Sequence, residues 1–126
     1  MALEVDVIGD AVSADRVTTL CDLAAGSAGV TDGHVAVEFV DAERIAELNL
    51  EHRGKGGPTD VLSFPVDEDA VAFGPRELGD VVICAEHTTD LEEAIVHGVL
   101  HLTGMDHETD EGEMLALQAE ILSWTR

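Results

Sequence analysis

Three of the six histidines lie within His97-Gly98-Val99-Leu100-His101-Leu102-Thr103-Gly104-Met105-Asp106-His107. That spacing restricts how the chain can fold around it. On a helix, His97 and His101 share a face, about 6 Å apart along the axis and about 40° around it. Gly104 then lets the chain leave the helix, so that His107 can approach the same point from outside. Three imidazoles on one ion leave a fourth tetrahedral position open, as in a catalytic zinc centre rather than a closed structural one. The expected ligands are therefore His97, His101 and His107, and the expected cofactor is one zinc ion.

The other segments read as alternating strands and helices. Leu3, Val5 and Val7 alternate with Glu4 and Asp6, a half-buried strand ended by Gly9. Ser13 is placed as an N-cap for a helix carrying Val17, Leu20, Cys21 and Ala24, ended by Gly26 and Gly29. A second strand runs from His34 to Val40. Asp41 caps a second helix on which Ile45, Leu48 and Asn49 share a face, and this strand-helix-strand order implies a parallel pair. Arg53-Gly54-Lys55-Gly56-Gly57-Pro58-Thr59-Asp60 is a loop feeding the short strand Val61-Leu62-Ser63-Phe64, stopped by Pro65. Asp67 to Pro75 reads as a surface excursion. Gly79 to Cys84 is too continuously apolar for an exposed strand and belongs inside the sheet. Helices follow from Asp90 to about Thr103 and from Thr109 to about Trp124, the latter with Met114, Leu117, Ile121 and Leu122 as its apolar stripe. The expected fold is a single α/β domain over residues 1–126, α+β and zincin-like in character. It has a mixed sheet of about four strands covered by helices, in the order β-α-β-α-β-β-α-α.

Charge and cysteine content narrow the function classes. Twenty-seven acidic residues against six basic ones give a formal net charge of -21, which repels nucleic acid unless a local positive site overcomes the global field. Cys21 and Cys84 each lie in an apolar stretch without a partner at ligand spacing, so both read as buried free thiols of a reducing compartment. The first residues carry acids where a signal peptide needs cations, and no apolar run approaches the roughly 20 residues of a membrane span. The expectation is a cytoplasmic protein with no membrane association.

The spacing H-x-x-x-H-x-x-G-x-x-H is also that of metzincin proteases, which place a glutamate directly after the first histidine. Here that position is Gly98, which can neither take a proton from water nor deliver one to a leaving amine. Three neutral ligands keep a zinc site near a charge of about +2, which favours an anionic substrate. Arg53 and Lys55, close together on the glycine-rich loop, supply cations and backbone N–H groups that suit a phosphate. Ser63 has no evident base partner, Met114 reads as core, and His34, His52 and His87 read as surface residues, His87 at a possible cleft edge.

The run His97 to His107 resembles the signature of the YbeY family, zinc-dependent bacterial endoribonucleases associated with ribosomal RNA maturation. Asn49, Arg53 and Pro58-Thr59-Asp60-Val61-Leu62-Ser63-Phe64-Pro65 are similar to a second signature of that family, and Leu78-Gly79-Asp80-Val81-Val82-Ile83 to a third, in the same order. The resemblance implies a zinc held by His97, His101 and His107, with His97 and Arg53 in the catalytic machinery. Arg53 would contact RNA phosphate. Asp106 would orient a ligand histidine and Lys55 would assist substrate binding. The implied substrate is single-stranded or ribosomal RNA, and the implied partners are the small ribosomal subunit or its assembly factors. The segment Ala85 to Val96 is shorter than in most relatives, and Met105 stands where the family usually has tyrosine. The alternatives are a zinc metallopeptidase or other zinc hydrolase using Asp106 or Glu108, and a non-catalytic ribosome assembly factor with structural zinc.

Overall fold

A computed structural model of the chain describes residues 3–30, 33–65, 77–105 and 111–126. Its elements are β1 (Leu3–Ile8), α1 (Ala14–Ser27), β2 (Gly33–Val40), α2 (Ala42–Arg53), β3 (Val61–Pro65), β4 (Glu77–Cys84), a 3-10 turn (Ala85–His87), α3 (Leu91–Leu102) and α4 (Glu113–Thr125). The four strands form one mixed sheet in the order β1-β2-β4-β3, with β1, β2 and β4 parallel and β3 antiparallel to β4. The expected α/β class and element order are those observed. The expected loop Asp67 to Pro75, together with Asp106, His107 and Thr109, lies outside the described residues.

Caps set the helix boundaries. Ser13 and Asp41 accept the backbone N–H groups of Arg16 and Arg44, satisfying donors that the first helical turn leaves without partners. Gly54, at φ 67°, closes α2 in the left-handed region expected of a glycine C-cap. The described part of the last helix begins at Glu113, four residues after the expected Thr109. Gly112 at φ 100° cannot belong to a right-handed helix and sets that start.

Strand β4 has both faces covered. Val81 and Ile83 join the large core with α1, α3 and α4, while Val82 and Cys84 pack with Ile45, Leu48 and Leu62 under α2. The register with β2 slips between His34 and Val35, so Leu78 is an extra residue and reaches the large core despite its position in the alternation. Beside this bulge Gly79 adopts φ 126°, and a Cβ there would lie 2.2 Å from the Phe64 carbonyl oxygen, so the position requires glycine. Cys21 and Cys84 are buried and free, as expected.

One ionic cluster joins three helices. Arg16 donates to both Glu92 carboxylate oxygens, at 2.6 and 3.1 Å, and to the Thr125 carbonyl at 3.0 Å. Arg126 donates to Glu92 at 3.2 Å and also bonds Asp90. The start of α3 is thereby fixed against α1 and the end of α4.

Candidate active site

Helix α3 turns a buried face of Ile95, Val96, Val99 and Leu100 to the core and leaves His97 and His101 half-buried on the stripe beside it. Close approach to the sheet is possible only because residue 98 is glycine: a Cβ would stand 2.5 Å from Val81 Cγ1 and 3.0 Å from Cγ2. Ser63 on β3 donates its hydroxyl to the Gly98 carbonyl at 3.3 Å, which joins α3 to the sheet. Ser63 thus has a structural partner, in keeping with the reading that it is no nucleophile.

Both imidazoles are oriented through Nδ1. His101 Nδ1 lies 3.0 Å from the Met105 carbonyl oxygen, which can only accept, so the ring carries its proton there. Gly104 makes that contact possible. With φ at 104°, it forms a Schellman turn in which Gly104 N–H donates to His101 O and Met105 N–H to Leu100 O, bringing the Met105 carbonyl back over His101. His97 Nδ1 lies 2.8 Å from Gln118 Oε1 on α4, a residue only 8% exposed. With both Nδ1 atoms acting as donors, the two Nε2 atoms face each other at 3.1 Å, the rings 4.7 Å apart and inclined by 79°. At zinc–nitrogen lengths of about 2.0–2.1 Å, that separation subtends about 100° at a shared ion, so the pair fits two corners of one coordination sphere. His107 and Asp106, the third expected ligand and its neighbour, lie outside the described residues.

A cleft of about 1280 Å³ follows the outer edge of β3. His97, His101 and Gln118 lie on its α3 side and His52 and Arg53 on its α2 side. The volume exceeds the roughly 300–1,000 Å³ typical of small-molecule pockets and suits a polymer segment. Arg53, at the end of α2, is exposed into this cleft. Among the described residues it forms no ion pair, whereas Arg16, Arg44 and Arg126 are each bound to carboxylates. Lys55 is equally exposed but lies past the Gly54 turn, outside the cleft wall. Asn49 is 4% exposed and donates to the Gly57 carbonyl at 2.9 Å, fixing the glycine-rich loop beside Arg53.

Two cleft residues were not anticipated from sequence. Gln118 is a polar residue at helical spacing within the apolar stripe of α4, and that break in the pattern was the available signal. Glu93 stands one turn before His97 and lines the cleft, its sequence signal being the i, i+4, i+8 series of Glu93, His97 and His101. His87 also lines the cleft, exposed in the 3-10 turn. His34 is more than a surface residue, since its ring bridges Asp6 at 2.7 Å and Glu77 at 2.8 Å across three strands.

Comparison with known proteins identifies the family. The family model described as endoribonuclease YbeY matches residues 9–126. The chain is 41% identical to the endoribonuclease YbeY of Salinispora tropica over 92% of this chain and 90% of that protein. It is 40% identical to that of Geobacillus thermodenitrificans over 98% and 96%. The Salinispora alignment spans 142 residues although this chain has 126, so that relative carries insertions. A Thermotoga maritima protein solved in solution superposes with a TM-score of 0.56 at 28% identity, over 94% of this chain and 87% of that one. The family model over residues 9–126, with relatives 40–41% identical over at least nine-tenths of the chain, shows that the chain belongs to the endoribonuclease YbeY family.

Proposed function

We propose that this chain is a zinc-dependent endoribonuclease that cleaves single-stranded RNA during ribosomal RNA maturation and quality control in the cytoplasm. Its partners would be the small ribosomal subunit or its assembly factors. The observation that carries the reading is one cleft holding two converging imidazole nitrogens on one side and Arg53, without a carboxylate partner among the described residues, on the other. Membership of a family whose relatives are named endoribonucleases supports the substrate class. Among the described residues no helix is long and apolar enough to cross a membrane.

His97, His101 and His107 would hold the zinc, which supplies Lewis acidity and concentrated positive charge at the scissile phosphate. The protein's own groups do the rest. Gln118 and the Met105 carbonyl hold the imidazole protons on Nδ1, so that Nε2 of each ring faces the centre. Arg53 offers a planar array of donors to phosphate oxygens and offsets the local repulsion of an acidic surface. Asp106 would orient a ligand ring, and Lys55, being outside the cleft wall, would attract RNA only at longer range.

The packing of Gly98 argues against a peptidase. A glutamate at that position would have to pass through Val81, so the usual proton-transfer group of the metzincin motif cannot be accommodated. The test is incubation of the zinc-loaded wild type, His101→Ala and Arg53→Ala with single-stranded RNA and with casein. RNA cleavage by the wild type alone, with one zinc per chain, is the expected result. Casein turnover would replace the reading with a hydrolase of peptides. Absence of any turnover, with His101→Ala unfolded, would replace it with an assembly factor whose zinc is structural.

A further inference from the structure

We infer that His52 and Phe64 form a nucleobase-stacking subsite on the α2 side of the cleft, which takes the base of an unpaired nucleotide next to the cleaved position. The inference rests on the endoribonuclease reading above and names how that site engages its substrate.

The two rings form a corner. Their centroids are 4.8 Å apart and their planes meet at 62°, so a planar ring laid on one meets the other edge-on. Both line the cleft, His52 exposed and Phe64 half-buried. The rear of Phe64 packs against the cluster of Ile45, Leu48 and Leu62, so the platform is supported by core rather than by loop. Alternation along β3 turns Leu62 and Phe64 towards α2 and Ser63 towards α3, where it bonds the Gly98 carbonyl. The corner and the histidine pair therefore sit on opposite sides of one edge strand, at positions fixed by the same backbone. Arg53 follows His52 directly, so a cation for the phosphate stands beside a surface for the base.

Electrostatics favours such a subsite. The chain carries a formal charge of -21, and Asp60, Asp90 and Glu93 also line the cleft. Arg53 is the only Lys or Arg among the described residues of its wall. Phosphate contacts alone would give weak and strongly salt-dependent binding. Stacking on an aromatic face involves no net charge and is insensitive to the field of the protein. It also requires a base with an open face, which paired RNA does not offer, so the corner would itself select single strands.

The test is equilibrium binding of the full-length chain to a labelled RNA pentanucleotide, short enough to limit alternative registers, with RNA integrity checked on a gel. Wild type, Phe64→Leu and His52→Ala are each measured with the intact strand and with strands made abasic at one position in turn. At one position the abasic strand should bind the wild type roughly 5- to 150-fold more weakly. Each variant should lose a similar factor on the intact strand and show little further loss at that abasic position. His52 is exposed, so His52→Ala keeps the test valid if Phe64→Leu fails to fold. The inference is overturned if no abasic position matters to the wild type, or if the variant and abasic losses simply add. It is also overturned if casein peptides displace the RNA while abasic replacement has no effect, which would give the corner to a protein side chain. Wild type that binds no single-stranded RNA at all would refute the endoribonuclease reading itself.

Discussion

Gln118→Leu tests whether the site is organised from α4. The substitution keeps a similar volume in a position only 8% exposed but removes the acceptor 2.8 Å from His97 Nδ1. Loss of one such hydrogen bond is worth about 0.5–1.5 kcal/mol, and an imidazole N–H left without an acceptor costs about 1–3 kcal/mol when buried. Because His97 is only half-buried, water recovers part of that cost, and the apolar leucine offsets more of it. The metal-free protein should therefore melt close to wild type. Zinc affinity should fall further, because His97 loses the contact that keeps its proton on Nδ1 and directs Nε2 at the ion. Outer partners of metal-bound histidines typically contribute about 10–100-fold. Competition with a chromophoric zinc chelator measures this directly. Gln118→Glu, which retains an acceptor at the same place, should bind zinc at least as tightly as wild type. Equal zinc affinity in wild type and Gln118→Leu, or an equal loss in both variants, would refute the assignment of Gln118 as the group that orients His97.

Three further outcomes follow from the packing and the charges. Gly98→Ala places a Cβ 2.5 Å from Val81 Cγ1, so α3 must shift or the valine must turn, and thermal unfolding should show a loss of about 1–3 kcal/mol; an unchanged melting temperature would mean the helix stands further from the sheet. Hydrogen bonds donated by the His34 ring to the carboxylates of Glu77 and then Asp6 raise the pKa of His34 above its ordinary value. A raised folded-state value makes the contribution of His34 to stability complete below the unfolded pKa of about 6.5 and removes it as pH climbs through the folded value. Urea midpoints should accordingly fall over that range in wild type and change less in His34→Gln, and parallel pH profiles would contradict the bridge. Burial pushes the Cys21 thiol up to about 12, so disulfide-exchange reagents at neutral pH should leave Cys21 unmodified in the folded protein and modify it in denaturant. Rapid modification of Cys21 under native conditions would show that α1 opens.

What could be read in the sequence was whatever depends on neighbours along the chain. The caps Ser13 and Asp41 and the His97–His101 pair all follow from spacings within a turn or two of helix, where geometry is fixed by the backbone. Contacts across elements were not legible. Gln118 meets His97 because of how α3 and α4 cross, and His34 meets Asp6 and Glu77 because of the register of three strands. The bulge that carries Leu78 into the large core likewise depends on pairing with β2 and extends β4 two residues before the expected Gly79. Arg53 and Lys55 read as neighbouring cations of one loop because only Gly54 separates them in sequence, yet across that left-handed residue one stands on the cleft wall and the other off it.

The contact between Gly98 and Val81 also bears on how this chain can change over generations. On paper the histidine helix differs from the peptidase pattern at one residue, glycine in place of glutamate at position 98. In the folded molecule that step collides with the central strand at 2.5 Å before any new chemistry is gained. A smaller residue at 81 would have to come first, opening a void in a fully buried part of the core for no immediate benefit. The intermediate would be disfavoured in either order of mutation. The closeness of helix and sheet thus isolates this lineage from a neighbouring catalytic repertoire that its motif so nearly spells.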